Sequence, residues 1–308
     1  MMVNWRGVIP AVTTPFDSDL HVDHGFLAKH CRWLVDHGSV GIVPLGSLGE
    51  GATLRPPEKR KILETCLEAV GDRVPIIPGI AALSTEDAVQ LALDAKALGC
   101  GGLMVLPPYV YSTDWREMKA HVKAVIAATD LPCMLYNNPA VYKTDFKPEE
   151  IAELARERAN LRAVKESSVD VRRVIGIRAL LGDRIDVLIG VDDAVVEAVY
   201  AGATGWIAGL VNAFPAESMA LYRYAVEGRK REAFELYRWF LPLLRMDTVP
   251  KFVQLINLAQ ERVGMGNSRV RPPRLQLEGE ELRDAIATLD RALATRLSLT
   301  PAGAAGGH

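Results

Sequence analysis

Three short stretches carry side chains on which chemistry could be built: Leu161-Arg162-Ala163-Val164-Lys165-Glu166-Ser167-Ser168, Tyr136-Asn137-Asn138-Pro139 and Gly46-Ser47-Leu48-Gly49-Glu50-Gly51. The first reads as a buried strand that runs into a lysine and then a polar turn. In a parallel sheet covered on both faces, a lysine near the carboxyl end of a strand is costly unless it has a partner or a task. On a period of two, Leu161, Ala163 and Lys165 share a face, and the small Ala163 leaves room beside the amine. A desolvated amine loses its proton more readily, and a neutral amine near pH 7 attacks carbonyl carbon. The same strand also admits a lysine paired with a neighbouring carboxylate, or one that snorkels from the strand end.

Tyr136 closes the preceding strand, and adjacent strands lie about 4.8 Å apart. A phenol beside a neutral lysine can shuttle protons while a carbinolamine forms and dehydrates. A core aromatic with its hydroxyl bonded locally fits the same residues. The Gly46–Gly51 turn can point successive backbone N–H groups at a small anion such as a carboxylate, and Ser47 adds a hydroxyl. An ordinary glycine-rich loop is the competing reading.

These stretches sit at the ends of apolar runs that alternate with amphipathic ones. Strands are predicted over 7–14, 40–46, 74–80, 102–106, 132–138, 161–165, 185–190 and 205–210. Helices are predicted over 24–37, 57–70, 84–98, 115–128, 148–158, 171–181, 193–201 and 215–227. Eight strand–helix units in succession predict an α/β fold, a (β/α)8 TIM barrel. A doubly wound open sheet would carry a glycine-rich phosphate turn after its first strand, and here that turn is Thr13-Thr14-Pro15-Phe16-Asp17. The expected division is a barrel over 1–228 and a C-terminal helical extension over 229–298, packed on the barrel or on a neighbouring subunit. Residues 299–308 are expected to be a disordered tail.

In a barrel the reacting groups gather at the carboxyl ends of the strands. Beside the three stretches above, those ends offer Pro107-Pro108-Tyr109-Val110-Tyr111, Gly190-Val191-Asp192-Asp193 and Gly209-Leu210-Val211-Asn212. Tyr109 and Asn212 join Gly46, Ser47 and Leu48 as candidate substrate-binding residues. Asn212 could instead cap the turn before Phe214-Pro215. Asp192 and Asp193 read as caps of the following helix. Glu50 reads as a brace for its turn, and Trp206 and Trp239 as packing residues.

Composition narrows the classes of function. A net charge of -2 argues against nucleic acid or an anionic membrane as the main partner. No apolar run reaches the length of a membrane span, and the start lacks a long apolar signal segment, so a cytoplasmic protein is expected. Cys31, Cys66, Cys100 and Cys133 are far apart, which predicts buried free thiols rather than a disulfide framework. His21, His24, His30 and His37 cluster early but read as surface residues. No ligand spacing for a metal is evident.

Taken together, Thr13-Thr14-Pro15-Phe16, Gly46-Ser47-Leu48-Gly49-Glu50, Tyr136-Asn137-Asn138-Pro139, Val164-Lys165-Glu166-Ser167 and Gly190-Val191-Asp192-Asp193 form a recognisable pattern. The chain resembles the dihydrodipicolinate synthase / N-acetylneuraminate lyase family, Schiff-base barrel enzymes acting on 2-oxo acids. The resemblance covers about residues 7–277. It implies Lys165 as the Schiff-base lysine and Tyr136 as the proton shuttle. It also implies that the Ser47 and Leu48 backbone, with the Ser47 hydroxyl, holds the substrate carboxylate. It further implies a homotetramer built as a dimer of dimers. No metal or organic cofactor is required, because the protonated imine is the electron sink.

Departures from the family pattern point to a subfamily. Synthases of the family have an arginine where this chain has Val141, and that arginine grips the carboxylate of their aldehyde substrate. They also carry a second tyrosine, donated across the dimer, where Val110 stands; Tyr111 is offset by one. Leu48 replaces a threonine of the carboxylate loop. The stretches Ala208-Gly209-Leu210-Val211-Asn212, Tyr237-Arg238-Trp239-Phe240-Leu241-Pro242-Leu243-Leu244 and Arg271-Pro272-Pro273-Arg274 more closely resemble the branch acting on 4-hydroxy-1-pyrroline-2-carboxylate. The expected reaction is its deamination and dehydration to 2-oxoglutarate semialdehyde. The alternatives are a 2-keto-3-deoxy sugar acid dehydratase or aldolase, a dihydrodipicolinate synthase, and a barrel that binds a 2-oxo acid without turnover.

Overall fold

Short apolar runs bounded by glycine and proline become the strands β1 (Gly7–Pro10), β2 (Gly79–Ile80), β3 (Leu103–Val105), β4 (Cys133–Asn137), β5 (Leu161–Glu166), β6 (Asp186–Ile189) and β7 (Gly205–Ala208). The computed structural model describes residues 3–108 and 114–299. All seven strands pair in parallel in the order β1-β7-β6-β5-β4-β3-β2, and nearly every strand residue is buried. Burial on both faces explains why these runs are continuously apolar rather than alternating.

The expected strand over 40–46 is not formed as a regular ladder. Parallel bridges tie Val43 to Ala11 and Ile42 to Ile76, so this segment bonds towards β1 on one side and towards the approach to β2 on the other. The Ile42 amide donates to the Pro75 carbonyl at 3.0 Å, and the Val43 amide to the Pro10 carbonyl at 2.9 Å. Pro44, Pro75 and Pro78 supply carbonyls but no N–H, which interrupts the regular pattern. The result is a curled, parallel, helix-covered sheet of the α/β TIM-barrel class.

Helices follow the strands: α1 (His24–Asp36), α2 (Pro56–Val70), α3 (Thr85–Leu98), α4 (Trp115–Ala127), α5 (Pro139–Tyr142), α6 (Pro148–Glu157), α7 (Arg172–Leu181), α8 (Val195–Tyr200) and α9 (Pro215–Val226). Their starts are written in the sequence. Asp23, Ser84 and Asp114 accept backbone amides of α1, α3 and α4, and prolines open α2, α6 and α9. The short α5 is not foreseen from periodicity, because four residues carry no period.

The C-terminal helices are α10 (Lys230–Leu244), α11 (Phe252–Arg262) and α12 (Gly279–Ala294). α10 packs on α9, and α12 lies against α10 and α11, while Phe234 of α10 remains exposed. Tyr109, Val110, Tyr111 and positions 300–308 lie outside the described residues. No helix among the described residues is long and apolar enough to cross a membrane.

Candidate active site

The β4–β5 register pairs Tyr136 with Lys165, and the side chains meet. Lys165 Nζ lies 4.1 Å from the centroid of the Tyr136 ring. Lys165 is 7% exposed and Tyr136 4%. Burial pushes the Lys165 amine down to about 8, against the opposing pull of Asp247 and Asp192. Among the described residues Lys165 has no salt-bridge partner within 4.0 Å, so the reading of a strand-end ion pair is not what the fold provides. Gly190 makes room for the lysine, since a Cβ there would lie 2.4 Å from Lys165 Cε.

Burial raises the Tyr136 phenol, while Asn138 draws it down by donating from Nδ2 to its oxygen at 3.1 Å. Asn138 also accepts the Val141 amide at 3.2 Å and so starts α5, which carries Tyr142. The Tyr142 hydroxyl contacts Ser47 Oγ, and its ring meets that of Tyr136 edge-on at 5.7 Å. Hydrogen bonding from Ser47 further lowers Tyr136. Three hydroxyls, those of Tyr136, Ser47 and Tyr142, therefore gather within one chain. Asn137 anchors the segment behind them: it exchanges hydrogen bonds with the Phe146 backbone at 3.0 and 3.1 Å and donates to Glu166 at 3.0 Å.

The turn after Pro44 is tightly built. Leu45 and Glu50 adopt positive φ, and the Gly51 amide returns to the Gly46 carbonyl at 3.1 Å. A Cβ on Gly51 would lie 2.2 Å from the Leu45 carbonyl oxygen, so only glycine fits. Thr14 donates to the Gly49 carbonyl at 2.6 Å and ties the turn to the end of β1. Among the described residues nothing accepts a hydrogen bond from the amides of Ser47 or Leu48. Glu50 is buried and accepts the Arg271 amide at 3.1 Å and the Arg274 guanidinium at 3.4 Å. It thus braces the turn against the C-terminal connector rather than bonding the turn's own amides.

These groups face a cavity of about 540 Å³, walled in part by Gly46, Ser47, Leu48, Tyr136 and Lys165. Asn212 is brought elsewhere. It is fully buried, its Nδ2 donates to the carbonyls of Ala11 and Gly209 at 2.8 Å each, and it is not a cavity-wall residue. Its Nδ2 is consumed in joining the ends of β1 and β7. Asp192 also departs from its expected capping role: it accepts the Gly209 and Leu210 amides and the Trp206 indole N–H at 2.8–3.2 Å. It holds the end of β7 rather than the helix that follows it in sequence. Trp206 is fully buried, and Trp239 stacks on Phe240.

Several site residues escape sequence reasoning. Asp247, Thr248, Phe252 and Arg274 all come from the C-terminal extension, yet they wall the same cavity. Arg274 brings an arginine to the wall from a different part of the chain, while Val141 stands where the family's arginine is expected. Burial and the Asp192 charge drive the Asp247 carboxyl well above the carboxylate range. His30, expected at the surface, is fully buried; burial takes it down to about 4, and its Nε2 meets the Asn212 carbonyl at 3.0 Å. Its place between Leu27 and Leu34 on the inner face of α1 is a signal the sequence contains. The four cysteines are free and buried, as expected. Asp17, Asp19 and His21 bring ligand atoms within 4.8 Å of one another on a turn, where Asp17 already accepts the amides of Asp19 and His21.

A buried amine titrating near 8, a phenol against it and a cavity at the carboxyl ends of parallel strands define a class of enzyme that works through carbonyl and imine chemistry. The model of the dihydrodipicolinate synthetase family matches residues 4–292, and the chain belongs to that family. Family members are Schiff-base lyases and synthases, so this chain is an enzyme of that kind. It is 32% identical over 269 residues to the 4-hydroxy-tetrahydrodipicolinate synthase of Agrobacterium fabrum, covering 87% of this chain and 92% of that one. It is 33% identical over 291 residues to the enzyme of the same name from Natronomonas pharaonis, covering 93% and 98%. Among solved structures, dihydrodipicolinate synthase from Aquifex aeolicus superposes with a TM-score of 0.89 at 28% identity, covering 96% and 100%. The Acinetobacter baumannii dihydrodipicolinate synthase complexed with pyruvate superposes with a TM-score of 0.89 at 27% identity, covering 94% and 99%.

Proposed function

We propose that this enzyme converts 4-hydroxy-1-pyrroline-2-carboxylate and water to 2-oxoglutarate semialdehyde and ammonia. Its Schiff-base chemistry rests on the Lys165 amine, set down to about 8 and held 4.1 Å from the Tyr136 ring beside the cavity, and its substrate on the sequence departures at Val141 and Leu48. Lys165 attacks C2 of the cyclic imine, the C2–N bond breaks, and the open chain remains as a Schiff base on the lysine. The imine withdraws electrons, so a C3 proton leaves towards Tyr136 and the C4 hydroxyl departs. Loss of a C5 proton, with protonation at C3 and C4, turns the C5 amine into an imine; its hydrolysis releases ammonia, and hydrolysis at C2 frees the lysine. The amides of Ser47 and Leu48, with the Ser47 hydroxyl, receive the substrate carboxylate. The apolar Leu48 and Val141 in the wall suit a compact substrate.

A second reading is 4-hydroxy-tetrahydrodipicolinate synthesis. The names of the relatives support it more directly than the first, and Arg274, paired with Glu50 through one nitrogen, still lines the cavity. One experiment separates the two. Purified protein is given hydroxypyrroline carboxylate with ammonia followed, and in parallel pyruvate with a carboxylate-bearing aldehyde. Ammonia release in the first supports deamination; condensation alone in the second overturns it.

The parallel bridges at Ile42 and Val43 support reading this segment as the eighth strand of a closed barrel. The assembly we propose is a homotetramer, following the family, for which light scattering should give four times the 33.7 kDa chain mass.

A further inference from the structure

Asp247 stands in the cavity without an assignment. It comes at the end of the turn Arg245–Asp247 that follows α10. Its carboxylate rests directly on the end of β7: a Cβ on Gly209 would lie 2.0 Å from Asp247 Oδ1, so the glycine is what admits it. Among the described residues no hydrogen bond or ion pair engages this carboxylate, although it walls the cavity together with Lys165. The neighbouring Asp192 is in the opposite situation, with both oxygens committed to Gly209, Leu210 and Trp206.

Strand order fixes the side on which Asp247 acts. The sequence of strands β4-β5-β6-β7 puts Tyr136 on one flank of Lys165 and Gly209, two strands away, on the other. An imine held on Lys165 therefore has a phenol to one side and an uncommitted carboxyl group to the other. Removing H and OH from adjacent carbons needs a proton received at C3 and one given at the C4 oxygen, roles that two groups on opposite flanks divide between them.

We propose that Asp247 is a catalytic residue, the acid that protonates the departing C4 hydroxyl of a β-hydroxy substrate bound as its Schiff base. In the step, the C3–H bond breaks; Tyr136 takes that proton as it passes its own along the Ser47 and Tyr142 hydroxyls to solvent. That electron pair forms the C3–C4 double bond. The C4–O bond breaks, and the oxygen takes the Asp247 proton and leaves as water. Once water has left, the Asp247 carboxylate regains a proton from solvent, so no oxidant, reductant or metal enters the balance. Burial and the Asp192 charge raise this carboxyl, in the direction of the protonated form this role needs, while Lys165 pulls the other way. The assignment rests on the β-hydroxy substrate reading above.

The test compares wild-type protein with the near-isosteric Asp247→Asn. Borohydride trapping of pyruvate, read as an intact-mass adduct, reports Schiff-base formation without elimination. Ammonia release is then measured with 4-hydroxy-1-pyrroline-2-carboxylate and with its 4-fluoro analogue, whose fluoride leaves without a proton. The expected result is full trapping, a roughly hundredfold or greater loss of kcat on the hydroxy substrate, and a loss below about fivefold on the fluoro substrate. Equal losses on both substrates, an unchanged kcat, or loss of trapping each overturn the assignment. If wild type leaves hydroxypyrroline carboxylate untouched, the substrate reading falls by itself. The same wild-type and Asp247→Asn comparison on a 2-keto-3-deoxy sugar acid, another β-hydroxy substrate, then decides the acid. A wild type inert towards both overturns substrate and acid together.

Discussion

Lys165 and Tyr136 are Cα partners across β4 and β5, and the amine nitrogen lies 4.1 Å from the ring centroid. A face-on aromatic attracts a cation, whereas burial opposes the charge. Burial prevails, and the amine is set near 8 rather than at its ordinary value of 10.5. The neutral amine is the nucleophile, so pyruvate trapping by borohydride should accelerate about tenfold per pH unit below 8 and level off above it. An amine of ordinary basicity would show no plateau until near 10.5, and that profile would refute the assignment. Lys165→Arg should form no adduct at any pH.

Tyr136 is protonated at neutral pH, since burial raises the phenol further than Asn138 and Ser47 lower it. It therefore acts by passing protons along hydroxyls rather than as a standing phenolate. Tyr136→Phe keeps the ring beneath Lys165 and removes only the oxygen. We expect adduct formation to persist and kcat to drop about a hundredfold or more. Retention of most of the turnover would assign Tyr136 to packing.

The contact between Tyr142 and Ser47 gives a similar test at the far end of the hydroxyl cluster. Tyr142→Phe preserves the edge-on ring contact with Tyr136. The expected outcome is a fall in kcat of roughly ten- to a hundredfold with KM little altered, the pattern of a group that moves protons rather than one that binds substrate. A change confined to KM would place Tyr142 in the binding wall instead.

How far the sequence discloses this site depends on where each residue sits in the chain. Lys165 and Tyr136 end apolar runs at adjacent strands, so period and parallel order together bring them side by side. The Gly46–Gly51 turn discloses itself by its glycines. Asp247 and Arg274 lie among the C-terminal helices and reach the cavity only through tertiary packing, which no local pattern encodes. Asn212 misleads for the converse reason: its position at a strand end is right, but its amide is taken up by the Ala11 and Gly209 carbonyls. The strand at 40–46 is expected from its valines and isoleucine, and prolines in and beside it break the ladder.

His30 offers a prediction about stability rather than catalysis. Its imidazole is fully buried against the Asn212 carbonyl, and burial lowers it from 6.5 to about 4. Between those values the unfolded chain binds the proton and the folded one does not, so His30 makes stability fall as pH drops from 6.5 towards 4. The contribution is present in full above 6.5 and amounts to at most about 3 kcal/mol. Asp192, raised by burial to about 6 from 3.8, has the opposite sign and loses stability as pH rises through the same window. The two slopes partly cancel, so the wild-type curve alone is a poor reporter. The difference between wild type and His30→Gln removes the Asp192 contribution, because that group is common to both. Urea unfolding from pH 4 to 7 should show this difference shifting in favour of wild type as pH rises, and then becoming constant above 6.5. A difference independent of pH would mean that His30 titrates in the folded protein as it does in the unfolded chain.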